Sequence, residues 1–282
     1  MTKENMQIRS QPKQLWTSDI KRIKIDLGNI TRTIVFLTAF LAVWEVIVLL
    51  EVFPAVSLPS PFRVAQSLLY LIEDGTLANS IAISMLRLFA GFFISILIGV
   101  GVGLTMLKFK YFGKTLNSFA VGLQSFPSIA WIPFAILLIG LNDSGILFIV
   151  IMSSVFSIMI STYSGMRNIP TIYLLSAANM GVKGLALFRY VMIPAVTPSL
   201  IIGIRQSWSF AWHALVGAEM LITTLVGLGY ILAVGREFSN MSQIIAAMIV
   251  IFAIGLIFDR IVFSKIEEKV RDRWGLNQQV SI

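Results

Sequence analysis

The chain of 282 residues contains no cysteine and only one histidine, His213. Without cysteine it can form neither a disulfide nor a thiolate metal site, and the redox compartment stays undetermined. One histidine excludes a metal centre built from several histidines of this chain. Charged residues are also scarce, at 13%, about half the share that is typical of soluble domains. The composition therefore excludes an ordinary soluble domain.

Apolar residues are abundant instead, at 57% of the chain, and the mean hydropathy is +0.85. This indicates an integral membrane protein, since soluble chains are about 45–50% apolar. A spanning helix needs about 20 mostly apolar residues. Six segments qualify: 34–53, 81–107, 116–141, 146–166, 198–222 and 244–263. Pro127 and Pro133 interrupt the third, which predicts a kink or an unwound turn there.

The net charge of +8 is distributed unevenly over this topology. Of the 22 Lys and Arg residues, 19 fall on one side of the predicted membrane, and Arg63, Arg87 and Arg236 do not. The positive-inside rule places that side in the cytoplasm and accounts for the charge without a nucleic-acid partner. The predicted organisation is a cytoplasmic segment 1–32, a six-helix membrane domain 33–264 with a cytoplasmic loop 167–195, and a cytoplasmic tail 265–282.

Motifs for catalysis are missing. The GKT at Gly113–Thr115 resembles the end of a phosphate-binding loop, but Lys108 stands where that loop needs a glycine, and no strand precedes it. Gly99 and Gly103 are four residues apart, a spacing that favours close helix packing. With no nucleophile–base pair and no set of metal ligands, we expect no enzyme activity, catalytic residue, metal or cofactor on this chain.

Span five carries polar and aromatic side chains at three- and four-residue steps, which places them on one helical face. They are Arg205, Trp208 or Ser209, Trp212, Val216 and Glu219. This face could line a passage, or its charged ends could anchor the helix or pair with other spans. Around Pro127, span three offers Gln124, Ser125 and Ser128, either for the same passage or for plain kink packing.

Three further ionisable residues lie in predicted spans. His213 is predicted to point away from the face that carries Trp212. Glu45 in span one and Arg87 in span two are candidates for ion pairs, because a charge at the bilayer centre costs about 2.5–3.5 kcal/mol on insertion scales. The sequence does not identify their partners.

A short basic stretch, SAANMGVKGLALFRYVMIPA at Ser176–Ala195, interrupts the spans. We expect a helix over 171–180, with Gly181 as its stop and as a hinge. A second helix is expected over 182–192, ended by Pro194.

The second of these helices is amphipathic. It is predicted to expose Leu185 and Phe188 together, with Lys183 and Arg189 beside them. Such a surface suits a groove on a soluble partner, and spacing alone leaves open an interfacial helix that lies on lipid.

Taken together, the ordered motifs resemble the membrane subunit of type I ABC importers, most closely the nitrate/sulfonate/taurine branch. The family's cytoplasmic signature is matched at Ala177, Gly181, Ile193 and Pro194, although Leu175 stands where the family has an acid and Ser176 replaces an alanine. The other matching stretches are Leu58–Val64, Ser84–Phe92, Pro127–Gly140, Arg205, Trp212, Gly217–Leu221, Gly227–Tyr230 and Phe258–Val262.

The resemblance implies an all-α membrane protein with the type I ABC importer permease fold and one cytoplasmic coupling helix. The coupling residues would be Ala177, Gly181, Lys183, Leu185, Phe188, Arg189 and Pro194. The polar face of span five and the break at Pro127 supply the candidate translocation path, which consists of Gln124, Ser125, Ser128, Arg205, Trp208, Ser209, Trp212 and Glu219.

The resemblance also implies partners and a location. We expect a multi-pass protein of a prokaryotic inner membrane that forms a homodimer and docks two ATPase subunits, which hold ATP and Mg²⁺. An external binding protein would deliver a small solute, in the first place a nitrate-, sulfonate- or taurine-like anion. The alternatives are the same importer class carrying bicarbonate or a neutral vitamin precursor, or a self-contained channel or secondary transporter.

Overall fold

The computed structural model describes residues 27–54, 56–222 and 225–273, and these ranges contain helices but no strand. The predicted all-α class is confirmed. The α-helices in these ranges are α1 Leu27–Leu49, α2 Pro61–Glu73, α3 Thr76–Lys108, α4 Lys110–Gln124, α5 Ile132–Leu138, α6 Asp143–Arg167, α7 Thr171–Asn179, α8 Gly184–Leu187, α9 Ile193–Leu221, α10 Leu228–Glu237, α11 Met241–Ile257 and α12 Ser264–Arg273. Most of the predicted segment 1–32 and the end of the predicted tail lie outside the described residues.

Five helical stretches of the described chain are long and apolar enough to cross a membrane. They are Thr31–Leu49, Thr76–Lys108, Asp143–Arg167, Gly184–Leu221 and Met241–Asp272. Each contains most of one predicted span. The remaining predicted span, 116–141, corresponds to two helical pieces, Tyr111–Gln124 and Ser128–Leu138, which meet at 100°.

The prolines explain this bend. Helix α4 ends at Gln124, and Pro127 adopts an extended conformation (φ −57°, ψ 126°) before a short 3₁₀ turn. Pro133 lies in the first turn of α5, where its missing N–H has no helical acceptor to lose. The predicted break at Pro127 is confirmed, and it is sharper than a simple kink.

Helix α6 lies between α3 and α9 and packs along both. A Cβ on Gly99 would lie 2.8 Å from Ile158 Cβ, and one on Gly103 would lie 2.7 Å from Thr162 Cβ. These contacts confirm that the two glycines allow close helix packing. Fully buried Leu88, from α3, belongs to the same hydrophobic core as the side chains of α6 and α9. The three helices therefore form the frame that positions the surfaces described below.

Helix α1 lies at the edge of this frame. It contacts α2, and the indole N–H of Trp44 donates a hydrogen bond to the Pro59 carbonyl at 3.1 Å. Glu45 forms no salt bridge within the described part of the chain, so its predicted pairing is not found there.

Candidate functional site

The segment between α6 and α9 turns at Gly181, which has φ +74°. The Val182 N–H donates to the Ala177 carbonyl at 2.9 Å, and the Gly181 N–H donates to the Ala178 carbonyl at 3.0 Å. These two bonds form a Schellman motif with glycine at its left-handed position. Gly181 is thus confirmed as the stop of α7, while Ala177 is buried beneath the turn.

Pro194 does not end the second helix, so that prediction is wrong. Helix α8 continues through a π-helical turn, Phe188–Met192, into α9. In this turn the Ile193 N–H donates to the Phe188 carbonyl, five residues back. The wider turn shifts the hydrogen-bond register just before Pro194, which then occupies the first turn of α9 and needs no N–H.

The prediction that Phe188 is exposed beside Leu185 is also wrong. Phe188 is half-buried against the small cluster formed by Met166, Ile169 and Val196, whereas Leu185 is 80% exposed. Phe188 therefore anchors the segment to the bundle, and Leu185 remains available for contact.

Other apolar side chains project from this segment, and the sequence analysis overlooked them. We call the following set the coupling patch: Ile172, Leu175, Met180, Leu185 and Tyr190, with the exposed cations Lys183 and Arg189. An exposed apolar surface with a polar rim is typical of an interaction site. The signal that could have identified it is the run of apolar residues on α7, a helix of only nine residues.

The break after α4 contains a cavity of about 230 Å³, which polar and apolar side chains line together. Its lining includes all three residues predicted from the sequence, Gln124, Ser125 and Ser128. Ser153 of α6 and Phe210 of α9 also line it. These two were missed, because nothing in the sequence shows that α6 and α9 face the break.

The tryptophans of α9 lie elsewhere. Trp208 is buried and stacks on Phe258 with ring centroids 4.8 Å apart. Trp208, Ser209, Trp212 and Val216 line an apolar groove of about 500 Å³ between α9 and α11. The polar residues at the Pro127 break and the tryptophans of α9 therefore lie in two separate places. Of the α9 residues, Phe210 faces the cavity and Ser209 faces the groove.

His213 also lines this groove. The prediction that it points away from the Trp212 face is wrong. Two consecutive helical residues differ by about 100° around the axis, and the groove between α9 and α11 is wide enough to reach both.

Arg205, near the middle of α9, is held by two carboxylates. Its Nε and Nη2 donate to the two oxygens of Asp259 at 2.8 and 2.9 Å, and its Nη1 donates to Glu267 at 2.7 Å. The forked contact with Asp259 is the geometry in which a guanidinium binds a carboxylate most strongly. Arg205 therefore connects α9 to the helical stretch that contains Asp259 and Glu267. Of the two roles predicted for Arg205, this is the one in which it pairs with another span.

Glu219 lies near the C-terminal end of α9 and is only 1% exposed. Arg87 Nη1 donates to Glu219 Oε1 at 2.9 Å, and Ser84 Oγ lies 2.8 Å from both carboxylate oxygens. The Gly229 N–H adds a third donor at 3.1 Å. Arg87 Nη2 also reaches Asp143 at 2.7 Å. We call this set of residues the carboxylate knot, and it joins α3, α6, α9 and α10.

The glycine at 229 is required by this arrangement. A Cβ there would lie 2.4 Å from the Val216 carbonyl oxygen and 2.6 Å from Glu219 Cβ. Only a residue without a side chain lets the start of α10 approach α9 closely enough to donate its N–H to the buried carboxylate. The knot thus supplies the intramembrane partner predicted for Arg87.

Comparisons with known proteins agree with this architecture. The profile of a family described as "Binding-protein-dependent transport system inner membrane component" matches residues 91–271. The chain is 30% identical over 218 residues to the putative aliphatic sulfonates transport permease protein SsuC of Escherichia coli, covering 77% of this chain and 82% of that protein. It is 28% identical to the bicarbonate transport system permease protein CmpB of Synechococcus elongatus, covering 87% and 91% respectively.

Among solved structures, the chain is similar to one from the MetNI methionine ABC transporter in an inward-facing conformation. The TM-score is 0.59 at 16% identity, and the match covers 69% of this chain and 96% of that one. At this identity the likeness concerns the fold alone, and that fold is the one that the sequence motifs predict.

Proposed function

We propose, because this chain belongs to the family of binding-protein-dependent transport system inner membrane components, that it forms the path by which a small anion is imported. Family membership makes the chain the permease component of an ABC importer, a multi-pass membrane transport subunit and not an enzyme. A self-contained channel or secondary transporter is thereby excluded. The further points below concern its substrate, partners and path.

The proposed substrate class is a nitrate-, sulfonate- or taurine-like anion, with bicarbonate as the alternative. It is supported by two relatives, whose names specify aliphatic sulfonates and bicarbonate. Both solutes carry their negative charge on oxygen atoms. Competition for uptake between an alkanesulfonate and bicarbonate, measured with the complete transporter, would distinguish them.

The proposed assembly is a dimer of this chain with two cytoplasmic ATPase subunits, which supply ATP hydrolysis, and an external binding protein. The observation that carries it is the coupling patch. Its apolar side chains are exposed on a short helix–turn–helix that Leu174 and Phe188 fix to the bundle. A surface held rigidly in this way can transmit a movement of a docked partner to α9, because α8 is continuous with that helix.

A cross-linking experiment tests the docking. A photoreactive amino acid at Leu185 should capture an ATPase subunit in membranes that contain the whole transporter. The matched control is Leu86, which is 72% exposed on spanning helix α3 and should capture none. Capture of lipid alone from position 185, with uptake intact, would contradict the docking.

We further propose that the solute passes the cavity at the Pro127 break. A volume of about 230 Å³ holds roughly seven waters at about 30 Å³ each, enough for a small hydrated anion. Ser128 offers a hydroxyl donor there, whereas the hydroxyls of Ser125 and Ser153 donate to the Val121 and Val150 carbonyls at 3.1 and 2.9 Å. Arg205 and Glu219 would then maintain the helices around the path, since both are occupied by ion pairs.

Single cysteines test this path cleanly, because the chain has none of its own. Ser128→Cys should react with a membrane-impermeant thiol reagent, at a rate that changes when ATP is added to the complete transporter. Ser95→Cys, at a fully buried position, is the unreactive control. Ser209→Cys tests the groove in the same way. Reaction at position 209 but not at 128 would contradict a path through the cavity and indicate one along the groove.

A further inference from the structure

A separate cavity, of about 420 Å³, lies where α3 and α6 end and α4 begins. Its lining residues are Met106, Leu107, Tyr111, Lys114, Tyr163 and Arg167. The chain folds back tightly here, and a Cβ on Gly113 would lie 2.1 Å from the Met106 carbonyl oxygen. This glycine lets the first turns of α4 approach the end of α3, which places Lys114 beside Arg167.

The two cations of this cavity have no counter-charge among the described residues. Neither Lys114 nor Arg167 forms a salt bridge there. The sequence holds no Asp or Glu from 75 to 142 or from 144 to 218, so the surrounding helices cannot supply one. An anion from outside the chain would therefore meet two uncompensated positive charges.

A buried tyrosine completes the polar part of the cavity. Arg167 Nη1 donates to the Tyr163 hydroxyl at 3.5 Å, and the hydroxyl's own proton remains available for an acceptor. Met106 and Leu107 provide an apolar side, and Tyr111 is 90% exposed at the rim. Tyrosines are enriched at the level of lipid headgroups, where one part of the ring is in apolar surroundings and the hydroxyl in polar ones.

We propose that this cavity binds the phosphate of an anionic glycerophospholipid, and that Lys114, Arg167 and Tyr163 hold it. Basic pockets between membrane helices bind such headgroups. Both cations stand at helix ends, where a spanning helix leaves the hydrocarbon and meets lipid phosphates. The apolar side suits the glycerol and the first acyl carbons, which a free inorganic anion lacks.

The test is lipid binding by the purified full-length chain in detergent, titrated with phosphatidylglycerol and measured by native mass spectrometry. Replacing both cations, Lys114→Gln with Arg167→Gln, should weaken binding by about 25-fold, about fivefold for each cation near a lipid phosphate. The matched control is Lys108→Gln, which removes the same charge from an exposed position that does not line the cavity. It should leave binding unchanged.

Three further arms make the result decisive. Phosphatidylcholine should bind equally weakly to all variants, and inorganic phosphate should not displace phosphatidylglycerol. Melting temperatures in lipid-free detergent should agree between the double variant and the control; if the double variant does not fold, Lys114→Gln alone is used and should lose about fivefold.

The proposal is overturned if the double variant binds phosphatidylglycerol as the control does, or if phosphatidylcholine binds as tightly. Displacement by inorganic phosphate would indicate a free-anion site instead. Unchanged lipid binding together with lost co-purification of a partner protein would assign the two cations to that partner.

Discussion

Replacing Glu219 by glutamine is expected to lower the free energy of unfolding by about 3–5 kcal/mol, because it leaves the buried Arg87 without its buried counter-charge. Arg87 and Glu219 are both largely excluded from solvent, at 7% and 1% exposed. The glutamine would also present an N–H group where Arg87, Ser84 and Gly229 all require an acceptor. Denaturant titration of the purified chain in mild detergent, followed by tryptophan fluorescence, measures the change.

The same knot contains its own control. Asp143 pairs with the same guanidinium at 2.7 Å, but its side chain is 65% exposed. Asp143→Asn should therefore cost less than about 1 kcal/mol, as solvent-exposed pairs do. The combined variant Arg87→Gln with Glu219→Gln should lose less free energy of unfolding than the two single variants together. In the combined variant both charges are removed, so neither is left buried without its partner. If Glu219→Gln and Asp143→Asn lower the free energy of unfolding equally, burial does not determine the strength of the carboxylate knot.

Substituting valine at Gly181 is expected to reduce uptake by about tenfold or more while the protein remains in the membrane. The turn requires φ +74°, and a left-handed conformation costs an ordinary residue about 1–2 kcal/mol, with a β-branched side chain at the upper end. Gly181→Pro should be at least as severe, because proline fixes φ near −65° and removes the N–H that bonds to Ala178. Uptake, normalised to the amount of permease in the membrane, is the measurement.

Asparagine at the same position separates backbone geometry from side-chain size. Asparagine adopts the left-handed region more readily than other non-glycine residues, and a Cβ at Gly181 would meet nothing within 4 Å. Gly181→Asn should consequently keep most of the uptake. Normal transport by the valine and proline variants would show that the turn is not needed for coupling.

Local features were predictable because their causes are local. A spanning helix needs only a sufficient run of apolar residues, so each spanning helix was found, although the stretch predicted to begin at 198 begins at Gly184. Gly181 was found because the left-handed turn after a helix selects glycine within a few residues of sequence. The break at Pro127 followed from the missing N–H of proline itself.

Prediction failed where one element's environment depends on another. Phe188 looked exposed because helical spacing groups it with Leu185, but a cluster from α6 and α9 covers it. Pro194 looked like a helix end, because the sequence does not reveal that a π-helical turn precedes it. Trp208, Ser209, Trp212 and Val216 do share one side of α9, where they line the groove beside α11. The sequence did not show that the cavity at the Pro127 break meets α9 at a different residue, Phe210.

The sequence by itself determined the membrane class, the segments that span and the hinge at Gly181, and its basic residues predict the cytoplasmic side. Only the tertiary structure decided which charges meet. Arg87 and Glu219 are 132 residues apart in the chain, and Arg205 reaches Asp259 across 54 residues. A helical pattern states the direction in which a side chain points from its own axis, but not which helix lies opposite. Since the cost of a charge in a membrane depends on its distance in space from a counter-charge, only the packed bundle shows how these residues are accommodated.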